Sequence, residues 1–149
     1  MRLILYFGLI MIAFLGSCDK SETLQKENDT PYMKLSSHDK YEQDIANDIK
    51  VKLNKREEIS IIHVVNDKEN IVIAFDLDHH HRFSLGKIEQ EIINEFEKSY
   101  QNYQLTVSTD QKIISELQKL EKSIHEKTTS KKKISQQLKK IISLTKDEA

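Results

Sequence analysis

The 149-residue chain has no tryptophan, a single proline, a single cysteine and three glycines, and the last two scarcities each remove a class of function. With one cysteine, Cys18, no internal disulfide and no multi-cysteine metal site can form, so the chain must fold on packing alone. Gly8 and Gly16 lie within the first 17 residues, which leaves Gly86 to serve the rest of the chain. That composition excludes a glycine-rich phosphate-cradling loop and a Gly-x-Ser-x-Gly nucleophile elbow. Charge of one sign is also missing, since 23 basic residues face 24 acidic ones, interspersed. The basic footprint of a nucleic-acid binder is therefore absent. Finally, the longest apolar stretch, residues 3–15, is shorter than the roughly 20 residues a membrane-crossing helix needs.

What is present begins with that stretch. Arg2, the apolar run and the small residues Gly16 and Ser17 describe a secretory signal peptide over residues 1–17. Leu15-Gly16-Ser17-Cys18 resembles the bacterial lipobox. The resemblance implies diacylglyceryl transfer to the Cys18 sulfur, cleavage before it and further acylation with chains of the palmitate type. Two or three acyl chains, each contributing roughly 0.8 kcal/mol per buried methylene, make a lasting anchor. Cleavage removes Arg2 and leaves 22 basic against 24 acidic residues, a mature net charge of −2 with histidines neutral. Residues 18–37 are polar and aperiodic and read as a flexible lipidated tether, with an r.m.s. span near 25 Å.

Periodicity starts at His38. A helix is predicted over 39–54, capped by Ser37 or Asp39, with Ile45, Ile49 and Leu53 on one stripe. Two β-rich runs follow at 59–65 and 71–77, joined by a polar hairpin connection at 66–70. After a turn at 78–84, with Ser84 as expected N-cap, a second helix spans 85–101 on the stripe Ile88, Ile92, Phe96, Tyr100. A short strand at 103–108 alternates Tyr103, Leu105 and Val107 inward. Thr109 or Asp110 caps a third helix to 126, carrying Ile113, Leu117, Leu120 and Ile124. A basic break at 127–133 precedes a last helix, 134–145, with Ile134, Leu138, Ile141 and Ile142. The order α-β-β-α-β-α plus a C-terminal helix predicts a small α+β sandwich, a three-stranded sheet with its helices on one face. On that reading the domain covers 38–127, and 128–149 is a basic linker and amphipathic helix that docks, meets a partner or contacts lipid.

The ordered set of segments is similar to the sporulation lipoproteins of the YhcN/YlaJ family from spore-forming Firmicutes. The resemblance covers residues 40–127. It is carried by Asp44-Ile45-Ala46-Asn47-Asp48-Ile49, by Ile62-His63-Val64-Val65-Asn66 and by Ile71-Val72-Ile73-Ala74-Phe75-Asp76-Leu77. Lys87-Ile88-Glu89-Gln90-Glu91-Ile92 and Leu105-Thr106-Val107-Ser108-Thr109-Asp110 complete it. It implies a non-enzymatic, spore-associated lipoprotein, lipid-anchored on the outer face of the cell membrane, the forespore inner membrane in particular, and acting in spore formation or germination. The element order also looks like the ring-building and BON-type modules of envelope machines, an analogy at the level of fold alone.

No cofactor is expected. His79, His80 and His81 are weak candidates for metal, because three consecutive donors in a loop rarely surround one ion. The alternative reading of the chain is a ligand-binding lipoprotein, using that loop for metal or the C-terminal helix for lipid. If the helices share one face, the other face of the sheet shows Ile61, His63, Val65, Val72 and Ala74, with Gln104 and Thr106. That half-apolar surface is either a docking site for a protein partner or a second copy, or it is covered by the C-terminal helix.

Overall fold

The computed structural model describes residues 32–35 and 42–147. The predicted signal peptide, Cys18, most of the predicted tether and the expected caps Ser37 and Asp39 lie outside the described residues. The elements are α1 (Asp44–Leu53), β1 (Ile59–Asn66), β2 (Asn70–Leu77), a 3₁₀ turn (His79–Ser84), α2 (Leu85–Ser99), β3 (Gln104–Ser108), α3 (Gln111–His125) and α4 (Lys131–Asp147). This is the expected α+β order, with boundaries within a few residues of those the apolar periods indicate. No described helix is long and apolar enough to cross a membrane.

The sheet is mixed and ordered β1-β2-β3. β1 and β2 form an antiparallel hairpin, with His63 opposite Ala74 and Val64 opposite Ile73. β3 returns parallel to β2, with Val72 beside Thr106. A parallel return needs a crossover of a dozen or more residues, and α2 supplies it. The first residue of β1 therefore shares one end of the sheet with the last residues of β2 and β3; the hairpin turn marks the other.

The helices do not share one face, and that expectation is corrected. Ala46, Ile49 and Leu53 of α1 and Ile88, Ile92 and Phe96 of α2 pack on Ile62, Val64, Ile71, Ile73, Phe75 and Leu77. Ile113, Leu117, Leu120 and Ile124 of α3 and Ile134, Leu138, Ile141 and Ile142 of α4 pack with Val65, Val72 and Ala74 on the opposite face. The molecule is a three-layer sandwich. The physical reason is visible in β1 and β2, which are nearly continuous apolar runs, and such runs bury both faces of a strand. It also decides where the C-terminal helix docks: its apolar stripe is spent on α3 and the sheet, so a lipid contact through that stripe is corrected too.

Local chemistry sets the joints. Asp110 is the N-cap of α3, its carboxylate accepting the Lys112 and Ile113 amides. The same helix ends with Thr128 N–H on the Ser123 carbonyl and Lys127 N–H on that of Ile124. Lys127 takes the left-handed conformation that this stop requires, at φ 56°. Ser84 precedes α2 but makes no side-chain cap bond, because the 3₁₀ turn feeds straight into the helix.

Candidate functional site

Of the residues expected on an open sheet face, Val65, Val72 and Ala74 are fully buried and His63 is 8 % exposed. Ile61 is half-buried against the same cluster. The free docking face is thus corrected: α3 and α4 together cover it, so the C-terminal helix does so in part. What the structure builds there is a buried polar network that the apolar patterning does not announce.

Glu121 of α3 reaches the outer edge of β1, where Oε1 accepts the Val64 amide at 2.9 Å and Oε2 lies 2.6 Å from His63 Nδ1. Lys50 of α1 meets the same carboxylate from the other layer, Nζ to Oε1 at 2.5 Å, and both side chains are essentially without exposure. Lys50 Nζ also donates to the Met33 carbonyl at 2.8 Å. Burial pulls the Lys50 ammonium below its ordinary value, and the Glu121 charge and hydrogen bond oppose that pull. Lysine and glutamate are almost never fully buried unless paired, and here they are paired across the rim of the sheet. The carboxylate serves as a substitute strand, satisfying an edge amide that would otherwise be orphaned in the interior.

Two carboxamides of the same region also hold backbone groups, one on β1 and one on the segment 32–35. Gln43 donates from Nε2 to the Asn66 carbonyl at 2.6 Å and accepts the Asn66 amide at 3.2 Å. Asn47 accepts the Leu35 amide at 2.8 Å and donates to its carbonyl at 2.7 Å. The segment 32–35 is therefore strapped to α1: Tyr32 packs with the α1–α2 layer and Leu35, 2 % exposed, with the α3–α4 layer. Residues 32–35, expected within the tether, are part of the fold. Leu35 alone, in a polar stretch, offered no period from which to read this.

At the strand-end side of the sheet, His79, His80 and His81 stand on the 3₁₀ turn, which contributes no buried residue. Arg82 lies 3.7 Å from Asp76. Among the described residues no three histidine, cysteine, aspartate or glutamate side chains converge as a metal site requires.

At the hairpin end lies a cleft of about 670 Å³, lined by Ile45, Tyr103 and Ile134 and by charges of both signs, Glu42, Asp44, Asp67 and Glu69 with Lys68, Lys131, Lys132 and Lys139. Its size suits a small ligand or a few side chains of a partner. Asp67 organises one wall. Its Oδ1 accepts the Glu69 and Asn70 amides and Asn70 Nδ2, while Ser135 of α4 donates to Oδ2 at 2.6 Å. Burial would raise this carboxyl, but those hydrogen bonds outweigh it and hold Asp67 below the ordinary value. In the lining Lys131 pairs with Glu42 at 2.8 Å. No local pattern announces the cleft, since its lining comes from four separate segments.

The family model described as sporulation lipoprotein YhcN/YlaJ matches residues 19–143, a longer stretch than the 40–127 on which the resemblance was read. No curated protein and no solved structure matches the chain.

Proposed function

Because the chain belongs to the sporulation lipoprotein YhcN/YlaJ family, we propose that it is a non-catalytic interaction module of the spore envelope. Lipid on Cys18 holds it on the outer face of the cell membrane, the forespore inner membrane in a sporulating cell, and it acts in spore formation or germination. One observation carries this reading: the strapped segment, followed toward its N-terminal residue, runs away from the end of the sheet at which the cleft opens. Met33 lies at Lys50 and Leu35 at Asn47, so the strap runs antiparallel to α1. Followed toward residue 32 it leads away from the hairpin end, where the cleft opens. A membrane-tethered chain would then offer the cleft to a partner. The buried titratable groups support a non-catalytic role, because Lys50, Glu121 and His63 are consumed in joining α1, β1 and α3.

The test is made in sporulating cells. Cys18→Ala is expected to move the protein out of the membrane fraction, and a photo-crosslinker at Lys68 or Lys132 to capture a discrete partner. Retention of the Cys18→Ala chain on membranes would overturn the anchor. Equal crosslinking from the cleft and from a position at the other end of the sheet, such as the exposed Lys55 between α1 and the start of β1, would overturn the cleft as the partner surface.

A further inference from the structure

The end of the sheet opposite the cleft carries a segment that adds nothing to the core. The Asp78 amide bonds the Glu58 carbonyl at 3.0 Å, and beyond that link the turn His79–Ser84 has no buried residue. Phe83 is 102 % exposed, its whole ring in solvent. A single exposed apolar side chain needs no explanation by itself. Its company and its place single this one out.

The company is His79, His80, His81 and Arg82 on the turn itself and Lys87 in the first turn of α2. The acidic groups near them are Asp76 beside Arg82, Glu91 beside Lys87 at 3.9 Å, and Glu58 within electrostatic reach of His81. An aromatic ring flanked by a cationic side chain is the pairing found where a protein meets the polar–apolar boundary of a bilayer. The place follows from chain direction. Ala46 is bound to Asn66, whereas the Arg56 carbonyl accepts the Ile59 amide, so α1 runs antiparallel to β1. The strap runs antiparallel to α1 in turn. From Leu35 to Met33 the strap thus points toward the end of the sheet at which β1 starts and β2 finishes, the end that carries the His79–Ser84 turn.

We infer that this turn is the membrane-contacting tip of the anchored protein. Phe83 enters the interfacial layer of the bilayer that holds the Cys18 lipid, and Arg82 meets the headgroup phosphates. The inference rests on the lipid-anchored reading above. Residues 19–31 separate Cys18 from the strap, a stretch that spans at most about 45 Å when fully extended, so the tip is always within reach of the surface. Burying one phenyl ring favours the bound state by roughly tenfold or more. That is too little to recruit a free protein, but a short link to the membrane raises the effective concentration to the millimolar range and populates the contact.

The chain contains no tryptophan, so Phe83→Trp places a sole indole at the tip without disturbing the core. The full lipidated chain carrying it is reconstituted into phosphatidylcholine–phosphatidylglycerol vesicles, with and without brominated acyl chains. The expected result is blue-shifted indole emission that brominated lipid quenches, whereas a Cys18→Ser chain with the same substitution shows neither. Arg82→Glu is expected to weaken the contact by about fivefold or more, given the value of one basic residue at an anionic surface. Vesicle-bound protein whose emission and quenching match those of the Cys18→Ser chain would overturn the inference and leave the anchor standing. Lipidated chain that fails to sediment with vesicles would overturn the anchor, and the inference with it. A blue shift that appears on concentrating the chain without vesicles would assign Phe83 to a protein contact instead.

Discussion

At the scale of single residues the molecule depends on a carboxylate in an unlikely place. Glu121 caps the Val64 amide, pairs with Lys50 and bonds His63, so its removal strands a buried ammonium. Breaking a buried pair from one side costs about 3–5 kcal/mol, while replacing both partners by apolar groups is often neutral. Glu121→Leu is therefore expected to lower stability by that amount in urea denaturation, and Lys50→Met with Glu121→Leu by far less than the sum of the single changes. Additive effects would show that the two charges are not coupled. Asp67 gives the pH counterpart. Its folded carboxyl lies below the ordinary 3.8, so its contribution is complete above that value and fades as pH falls through the lower folded one. The stability gap between the wild-type chain and Asp67→Asn should then be constant from pH 7 to 5 and close below pH 4. A gap that widens on acidification would mean that the Ser135 and Asn70 bonds do not favour the ionised form.

At the scale of elements, periodicity reveals almost everything except how the layers stack. Ile88, Ile92 and Phe96 mark α2, and Ile113, Leu117, Leu120 and Ile124 mark α3, because a 3.6-residue stripe needs only a local surface to face. Nothing in α3 says which side of the sheet it covers. That information was in β1 and β2, where Val64 beside Val65 and Val72 beside Ile73 leave no polar face to turn outward. Lys50 and Glu121 were illegible for a related reason. Each borders an apolar stripe, next to Ile49 and Leu120, and border positions are buried or exposed according to what the neighbouring layer brings. The strap was hidden because one buried leucine makes no pattern. The C-terminal helix follows from the stacking. Ile134, Leu138, Ile141 and Ile142 are all buried, and four such side chains contribute up to roughly 6–12 kcal/mol. A domain's whole stability is about 5–15 kcal/mol. Truncation after Lys127 is expected to abolish cooperative unfolding and expose an apolar face that binds hydrophobic dyes. A truncated chain that melts as the intact one does would remove α4 from the core.

At the scale of the whole molecule, a lipid anchor matters mechanically only if the chain it is attached to is tied into the fold. Residues 32–35 supply that tie, and Asn47 is the knot. Its carboxamide holds both backbone groups of Leu35, while the Lys50 ammonium holds the Met33 carbonyl. Replacing Asn47 by Ala removes two buried hydrogen bonds and leaves the Leu35 amide and carbonyl without them, a change of about 1–3 kcal/mol for each group left buried. The chain has an escape that a core residue lacks, because the strap can lift off and hydrate its own backbone. The expected outcome of Asn47→Ala is therefore local. The Leu35 amide should exchange with solvent orders of magnitude faster and the strap should become a site of proteolysis, while the β2 amides keep most of their protection. With the proposed lipid on Cys18, release would lengthen the link to it by at least four residues and let the domain rise from the bilayer. In the lipidated chain the same substitution should then weaken contact at Phe83 without touching that turn. If the Leu35 amide and the β2 amides lose protection together, the strap is one cooperative unit with the sheet, and the anchor cannot be loosened without unfolding what it holds.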